Sequence, residues 1–270
     1  MFSGDRCCAG VDSHVAQDVL VLLLLPQWGG AEELRFSYGV ESFLWEEFDD
    51  NGNLLLDETG FRHVFALRGE NRFDSQWLGD FDAHVVFGTV AYDGQDQSGN
   101  PVSTNTEYSG YGLEVGFNYF PSEVPTGDAA GAGVRLALGM DVWDRNLLGA
   151  GGYNEHYMAT YGRVAGVYVT PAVWQMEFGA KLPVAASESV DLSAYGFVDE
   201  INLNPKGQPS LYANFSYNIN ERFLVGLTYD GYAFAKSDED IVYNLDGNYY
   251  AIHQPKSSMQ TLTLSVSLSL

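Results

Sequence analysis

The feature that most restricts this chain is an alternation of apolar with polar or small residues at a period of two, recurring from about residue 33 onward. In SGYGLEVGFNY, Tyr111, Leu113, Val115, Phe117 and Tyr119 alternate with Gly110, Gly112, Glu114, Gly116 and Asn118. Val134, Leu136, Leu138, Met140 and Val142 alternate with Arg135, Ala137, Gly139 and Asp141, and a third such run spans WQMEFGAKLPV. Successive side chains of a strand point to opposite faces, so each run makes a strand with one apolar and one polar face. Helical spacing is nearly absent. Ten strands are expected, at roughly 33–48, 54–68, 80–93, 107–120, 133–147, 155–169, 173–186, 209–217, 222–235 and 259–270. Eight or twelve fit if a weak hairpin is counted differently. In the first hairpin Val40 and Phe43 fall out of step, as a bulge would place them.

Alternation alone allows two architectures. A soluble sandwich or barrel turns the apolar face inward, whereas a membrane barrel turns it to lipid and lines its interior with small and polar residues. Four features favour the membrane. Val19 to Leu25 form a seven-residue apolar run, too short for the ~20 residues of a spanning helix. With Gly29 and Ala31 behind it, the run reads as a signal-peptide core cleaved after Ala31. Asp5, Asp12 and Asp18 outnumber Arg6 upstream, so the true start is expected to lie within the sequence as given. Residues 1–31 are therefore assigned as signal peptide and 32–270 as the barrel. Cys7 and Cys8 precede the cut, which leaves the exported part without disulfides. Secondly, strands of nine or more residues suit a tilted membrane crossing. Thirdly, with periplasmic N- and C-termini, Tyr119, Trp174, Tyr217 and Phe223 fall at the periplasmic rim and Tyr111 and Tyr229 at the outer rim, making two aromatic girdles. Fourthly, that topology puts GENR, TPA and NINE inside as short turns. It places the long links after the third, seventh and ninth strands outside, the first of these being DGQDQSGNPVSTNT.

The last residues, TLTLSVSLSL, set Leu262, Leu264, Val266, Leu268 and Leu270 against hydroxyl side chains. This pattern resembles the C-terminal assembly signal of small Gram-negative outer-membrane β-barrels, and the resemblance extends over most of residues 32–270. It departs at Leu270, where an aromatic residue is commoner. The resemblance implies an all-β, transmembrane, antiparallel up-and-down barrel in the outer membrane. Outer-membrane lipid, lipopolysaccharide and the outer-membrane assembly machinery would be its partners. It names no substrate.

Charge narrows function further. Thirteen Lys and Arg stand against 36 Asp and Glu, a net charge of −23 that excludes nucleic acid as a partner. The polar faces carry Arg35, Glu41, Arg62, Asp82, His84, Glu114, Arg135, Asp141, Glu177, Lys181 and Asp230. In a narrow lumen such mixed charges are expected to pair and plug. Unpaired, they would form the constriction of a narrow porin-like channel. Asp80, Asp82 and His84 share one strand face, a set able to activate water, but at the periplasmic end; His156 beside Glu155 is a second candidate. Glu47, Asp49, Asn51, Gly52 and Glu58 occupy calcium-loop positions in EEFDDNGNLLLDE, although the Asn-Gly pair there also makes a hairpin turn. Lys206 stands out in an acidic chain as a partner for an acidic loop or a lipopolysaccharide phosphate. No cofactor and no catalytic residue are expected. The resulting reading is a non-enzymatic barrel, structural or porin-like, with acidic external loops. A barrel that recognises ligands through those loops, or a barrel hydrolase, are the alternatives.

Overall fold

The computed structural model describes residues 33–95, 99–126, 129–149, 152–170, 173–197 and 200–270. The apolar run at 19–25, both cysteines and the cleavage expected after Ala31 lie outside the described residues. In chain order the strands are β1 (Glu33–Phe48), β2 (Leu54–Arg72), β3 (Trp77–Gln95), β4 (Pro101–Tyr119), β5 (Gly131–Leu147), β6 (Asn154–Val169) and β7 (Trp174–Asp191). They continue as β8 (Ile201–Leu203), β9 (Lys206–Gln208), β10 (Ser210–Asn218), β11 (Phe223–Ala235), β12 (Asp240–Tyr243), β13 (Tyr249–Ile252) and β14 (Lys256–Ser269).

Strands β1 to β7 form an antiparallel meander. It continues from β7 to β10, from β10 to β11, from β11 to β14 and back to β1, closing a ten-stranded barrel. The closing ladder runs from Arg35 opposite Ser269 to Phe48 opposite Lys256. Short β8 extends the wall on β7, and β9 does so on β11. β12 and β13 pair only with each other, as a separate hairpin between β11 and β14.

Connections at the end holding Glu33 and Leu270, called the lower end below, are 73–76, 120–130, 170–173 and 219–222. The upper end carries 49–53, 96–100, 148–153 and the two long excursions 192–209 and 236–255. One expected long link is absent from these. Asp93 pairs with Ser103 and Gln95 with Pro101, so β3 and β4 run on through DGQDQSGNPVSTNT and only 96–100 connect them.

The outer wall changes character at one level on the long strands. On β4 the outward residues Tyr111, Leu113, Val115, Phe117 and Tyr119 are apolar, and above them come Ser103, Asn105, Glu107 and Ser109. On β5 the switch falls between Val142 and Asp144, on β6 between Met158 and His156, and on β14 between Leu262 and Gln260. Five outward residues span about 27 Å of strand, which after tilting approximates the apolar height of a bilayer-spanning barrel. Leu138 is 70% exposed and Phe178 64%, values that water disfavours and lipid does not. The lower margin carries paired aromatics, Trp77 with Tyr119 at 4.9 Å and Trp174 with Tyr217 at 4.4 Å. Tyr111 and Tyr229 are half-buried at the upper margin.

Above that level the two faces exchange roles. On β1 the apolar set passes from outward Phe36, Tyr38 and Val40 to inward Phe43 and Trp45. The ladder with β2 has no shift between Glu33 and Glu47, so the expected bulge near Val40 is replaced by this exchange of faces. Val40 meets lipid and Phe43 fills the lumen above it. The same exchange puts Val90, Tyr92, Tyr108, Trp143, Tyr157 and Phe234 inside, in one packed cluster with Trp45. Irregularities of register occur elsewhere, at Glu47/Phe48 and at Thr160/Tyr161.

The exchange of faces dictates where a charge is tolerated. Leu138→Arg, at the centre of the apolar band, is expected to lower unfolding free energy in lipid vesicles by about 2–4 kcal/mol. Ser103→Arg, outward but above the band, should change it by less than about 0.5 kcal/mol. Equal losses for the two variants in guanidinium titrations would contradict the placement of the band.

Candidate functional site in the lumen

Within the band the inward face holds almost all of the charge. Arg135, 3% exposed, is the hub. Its guanidinium reaches Asp80 at 2.5 Å, Glu114 at 2.7 Å and Glu177 at 3.3 Å. Asp80 also accepts from Asn118 Nδ2 at 2.7 Å. Arg163 bridges Glu114 at 2.8 Å and Asp230. Lys181 lies between Asp230 at 3.1 Å and Asp141 at 3.4 Å, and its ammonium sits 3.6 Å from the Tyr232 ring centroid. Arg62 pairs with Glu41 at 2.6 Å and lies 3.9 Å over Phe43. Lower down, Arg35 links Glu33 at 2.7 Å and Glu70 at 3.5 Å. Of the eleven residues singled out from the alternation, nine form ion pairs between Lys or Arg and carboxylate partners within 4 Å, and Asp82 lies 3.3 Å from His84. Such burial is tolerable only because the charges compensate one another and are hydrogen-bonded.

A second ionic layer lies higher, among the aromatics. Arg145 contacts Glu155 at 2.6 Å, Glu58 at 3.0 Å and Glu47 at 3.3 Å. Glu58 also accepts from Thr106 Oγ1 at 2.6 Å and from the Tyr108 hydroxyl, and Trp45 Nε1 donates to Glu47 at 2.9 Å. Trp143 and Tyr157 stack at 5.0 Å, Tyr232 and Phe234 at 5.5 Å. Trp45, Tyr157 and Phe234 are 0–1% exposed, so rings and ion pairs occupy the lumen at this height. Arg145, Arg163, Arg68, Glu70 and Glu188 are lumen groups that the reading of the sequence missed. Their inward parity was available. Arg145 is ten residues from Arg135 on β5, and Arg163 alternates with outward Val164 on β6.

Below the filled zone the lumen opens. A cavity of about 220 Å³ is bounded on one side by Arg68, Asp82, Arg135 and Arg163, and on the other by the hydroxyls of Ser37, Thr263, Ser265 and Ser267. A lower one of about 450 Å³ shares Arg35, Gln175 and Ser216 with it. Phe120, Val124 and Pro125, from the link 120–130, line this lower space. Phe120 and Val124 are buried against Val167.

The histidines of both catalytic sets considered from sequence lie beside carboxylates. His84 directs Nδ1 to Asp82 at 3.3 Å and Nε2 to Asp141 at 3.6 Å. His156 Nδ1 is 2.8 Å from Asp144 on the outer wall, while Glu155, its sequence neighbour, points inward to Arg145. Ser189, opposite His156 on β7, gives its hydroxyl to Glu200.

The calcium-loop residues separate likewise. Glu58 and Glu47 are buried in the Arg145 layer, whereas Asp49 caps the tip turn, accepting from the backbones of Asn51 at 2.8 Å and Asn53 at 2.7 Å and from Asn53 Nδ2 at 2.8 Å. Gly52 supplies the positive φ, +84°, that the turn needs. No group of three or more His, Cys, Asp or Glu side chains arranged to hold a metal ion occurs among the described residues. Lys206 is engaged with Asp238 at 2.7 Å.

No protein-family model matches the chain. No curated protein matches it either. Solved structures do. The outer-membrane protease OmpT of Escherichia coli is 9% identical, with 89% of this chain and 97% of that one covered at a TM-score of 0.54. The transport unit of the Escherichia coli autotransporter AIDA-I is 9% identical, covering 96% and 98% at 0.40. The attachment invasion locus protein Ail of Yersinia pestis is 10% identical, covering 88% and 98% at 0.36.

Two outcomes follow from the geometry. Arg135→Met leaves Asp80, Glu114 and Glu177 without their shared cation and should cost about 3–5 kcal/mol of stability. Arg222→Met, on an exposed lower turn, should cost less than about 0.5 kcal/mol. Guanidinium unfolding of both variants decides it. At the upper tip, the bonds that Asn53 and Asn51 donate hold the Asp49 carboxyl below its usual range. A lowered folded value stabilises the turn above the ordinary carboxylate range and is lost as pH falls through that value. Amide-exchange protection of Asn51 and Asn53 should therefore decline on acidification, and an Asp49→Ala variant should lack both the protection and its pH dependence.

The chain has the fold of the Gram-negative outer-membrane β-barrels, closed here from ten antiparallel strands.

Proposed function

We propose that the protein is an integral outer-membrane barrel that does not conduct solutes and serves as a rigid, non-catalytic support for acidic loops. The observation that carries this reading is the filled upper lumen, occupied by the Arg145 layer and the Trp45–Trp143–Tyr157 rings, with a cavity of about 80 Å³ beside Arg62, Asp141 and Lys181. A solute entering from the lower end would meet a polar cup with a packed roof. Moving the roof aside would expose buried charge, at a cost of several kcal/mol, and unstack rings, at about 0.5–1.5 kcal/mol per pair.

The apolar band and aromatic margins support placement in a lipid bilayer, with outer-leaflet lipid and lipopolysaccharide as the surrounding partners. Three four-residue turns at the lower end and two long excursions at the upper end support periplasmic termini, since barrels of this class keep short turns on the periplasmic side. On this orientation Leu262, Leu264, Val266, Leu268 and Leu270 face lipid, where the outer-membrane assembly machinery would read them. Purified barrel in planar bilayers is expected to give no discrete conductance steps. Reproducible unitary openings would establish the narrow porin-like alternative.

A further inference from the structure

Exposed apolar side chains on the wall are explained by lipid, but one group lies outside the band. β11 leaves the band at Tyr229 and continues through Ala235, about 20 Å further, before the excursion 236–255 begins. There β12 and β13 form a hairpin whose two faces differ. One face sets Val242 and Ile252 against Val190 of β7 and Ile201 and Leu203 of the neighbouring excursion, with Tyr250 edge-on to Phe197 at 5.4 Å. The other carries Ile241 opposite Ala251 and Tyr243 opposite Tyr249, with Leu245 in the turn. Tyr249 is 74% exposed and Leu245 78%.

This face is held in shape. Leu245 N donates to Gly196 O at 2.8 Å, Asn244 Oδ1 accepts from Asn248 N at 2.9 Å, and Ser237 and Gln254 exchange bonds at the base. Gly247 takes the positive φ, +79°, of the turn. A patch of tyrosine and aliphatic side chains carried on a braced backbone has only its side-chain freedom to lose on docking. Acidic residues outnumber basic ones around it. Residues 237–255 contain Asp238, Glu239, Asp240 and Asp246 and no lysine or arginine, with Lys236 and Lys256 at the two ends. Lys206 and Lys236 are engaged by Asp238 and Asp50, and Lys256 lies 5.9 Å from the Phe48 ring.

We propose that the outward face of this hairpin, Ile241, Tyr243, Leu245 and Tyr249 with the flanking Glu239 and Asp246, docks a protein partner through a lysine- and arginine-bearing apolar surface. Tyrosine rings accept cations over their faces while the carboxylates supply attraction at longer range. Like charge disfavours a second copy of the chain and the phosphates of lipopolysaccharide as occupants. This surface lies apart from the lumen, so the proposal stands whatever the barrel conducts.

The test uses the full barrel in detergent micelles and two synthetic peptides of equal length and identical leucine and tryptophan content. One peptide has lysine and arginine at its polar positions, the other glutamate. The basic peptide should bind saturably, with affinity falling on the order of tenfold as salt rises. Tyr243→Ser with Tyr249→Ser should weaken it on the order of tenfold. Unchanged heat-dependent gel migration would show that this variant's barrel is folded. Equal binding of both peptides, or unaltered binding by the folded variant, overturns the proposal. So does a folded variant that loses adhesion to lipopolysaccharide vesicles while the parent ignores the basic peptide.

Discussion

Closure of the sheet is the constraint on which everything else in this molecule depends. In hydrocarbon no water satisfies a free strand edge, so the ladder between β1 and β14 and that between β7 and β10 are conditions of existence rather than additions to stability. Once ten strands close, the interior is narrow enough for side chains from opposite walls to meet across it. The strands supply that filling from their inward parity, leaving open only the polar spaces of the lower lumen described above. In the band that filling is ionic, because alternation commits the other parity to lipid.

The interior is consequently built on two principles stacked along one axis. Lower down, a hub such as Arg135 gathers three carboxylates in a space where each alone would be costly. Higher up, with water outside the wall, apolar rings return to the inside as in a soluble barrel, and Arg145 is embedded among them. Lys181 and Arg62 join the two regimes, each holding a carboxylate on one side and an aromatic face on the other.

The sequence made the ten barrel strands legible because the period of two persists whichever face is apolar. What it concealed was the exchange of faces. Above the band Ser103, Asn105 and Glu107 face water, and in a linear sequence such a polar run has the composition of a loop, which hides the tops of β3 and β4. Glu47 and Glu58 read as cation ligands for the same reason, since their inward direction depends on a wall that continues past the membrane. The lower charges were legible where glycine and aliphatic residues kept the phase clear. Arg163 was not, because Gly162, Ala165 and Gly166 around it leave little contrast between faces. The β12–β13 hairpin is four residues per strand with its anchoring supplied by another excursion, a long-range fact that local pattern does not contain.

The exchange of faces also bears on how strand pairing is proofread. In an ordinary sheet a slip of one residue is caught because it turns every side chain to the wrong side, whereas a slip of two preserves the alternation. Here a slip of two would move one strand about 7 Å along its neighbours. That would raise a lipid-facing residue such as Met158 into water and draw a ring such as Tyr157 out of the packed layer. Each hairpin is thus gauged by two independent marks, one on its outer surface and one within, and only a single alignment satisfies both.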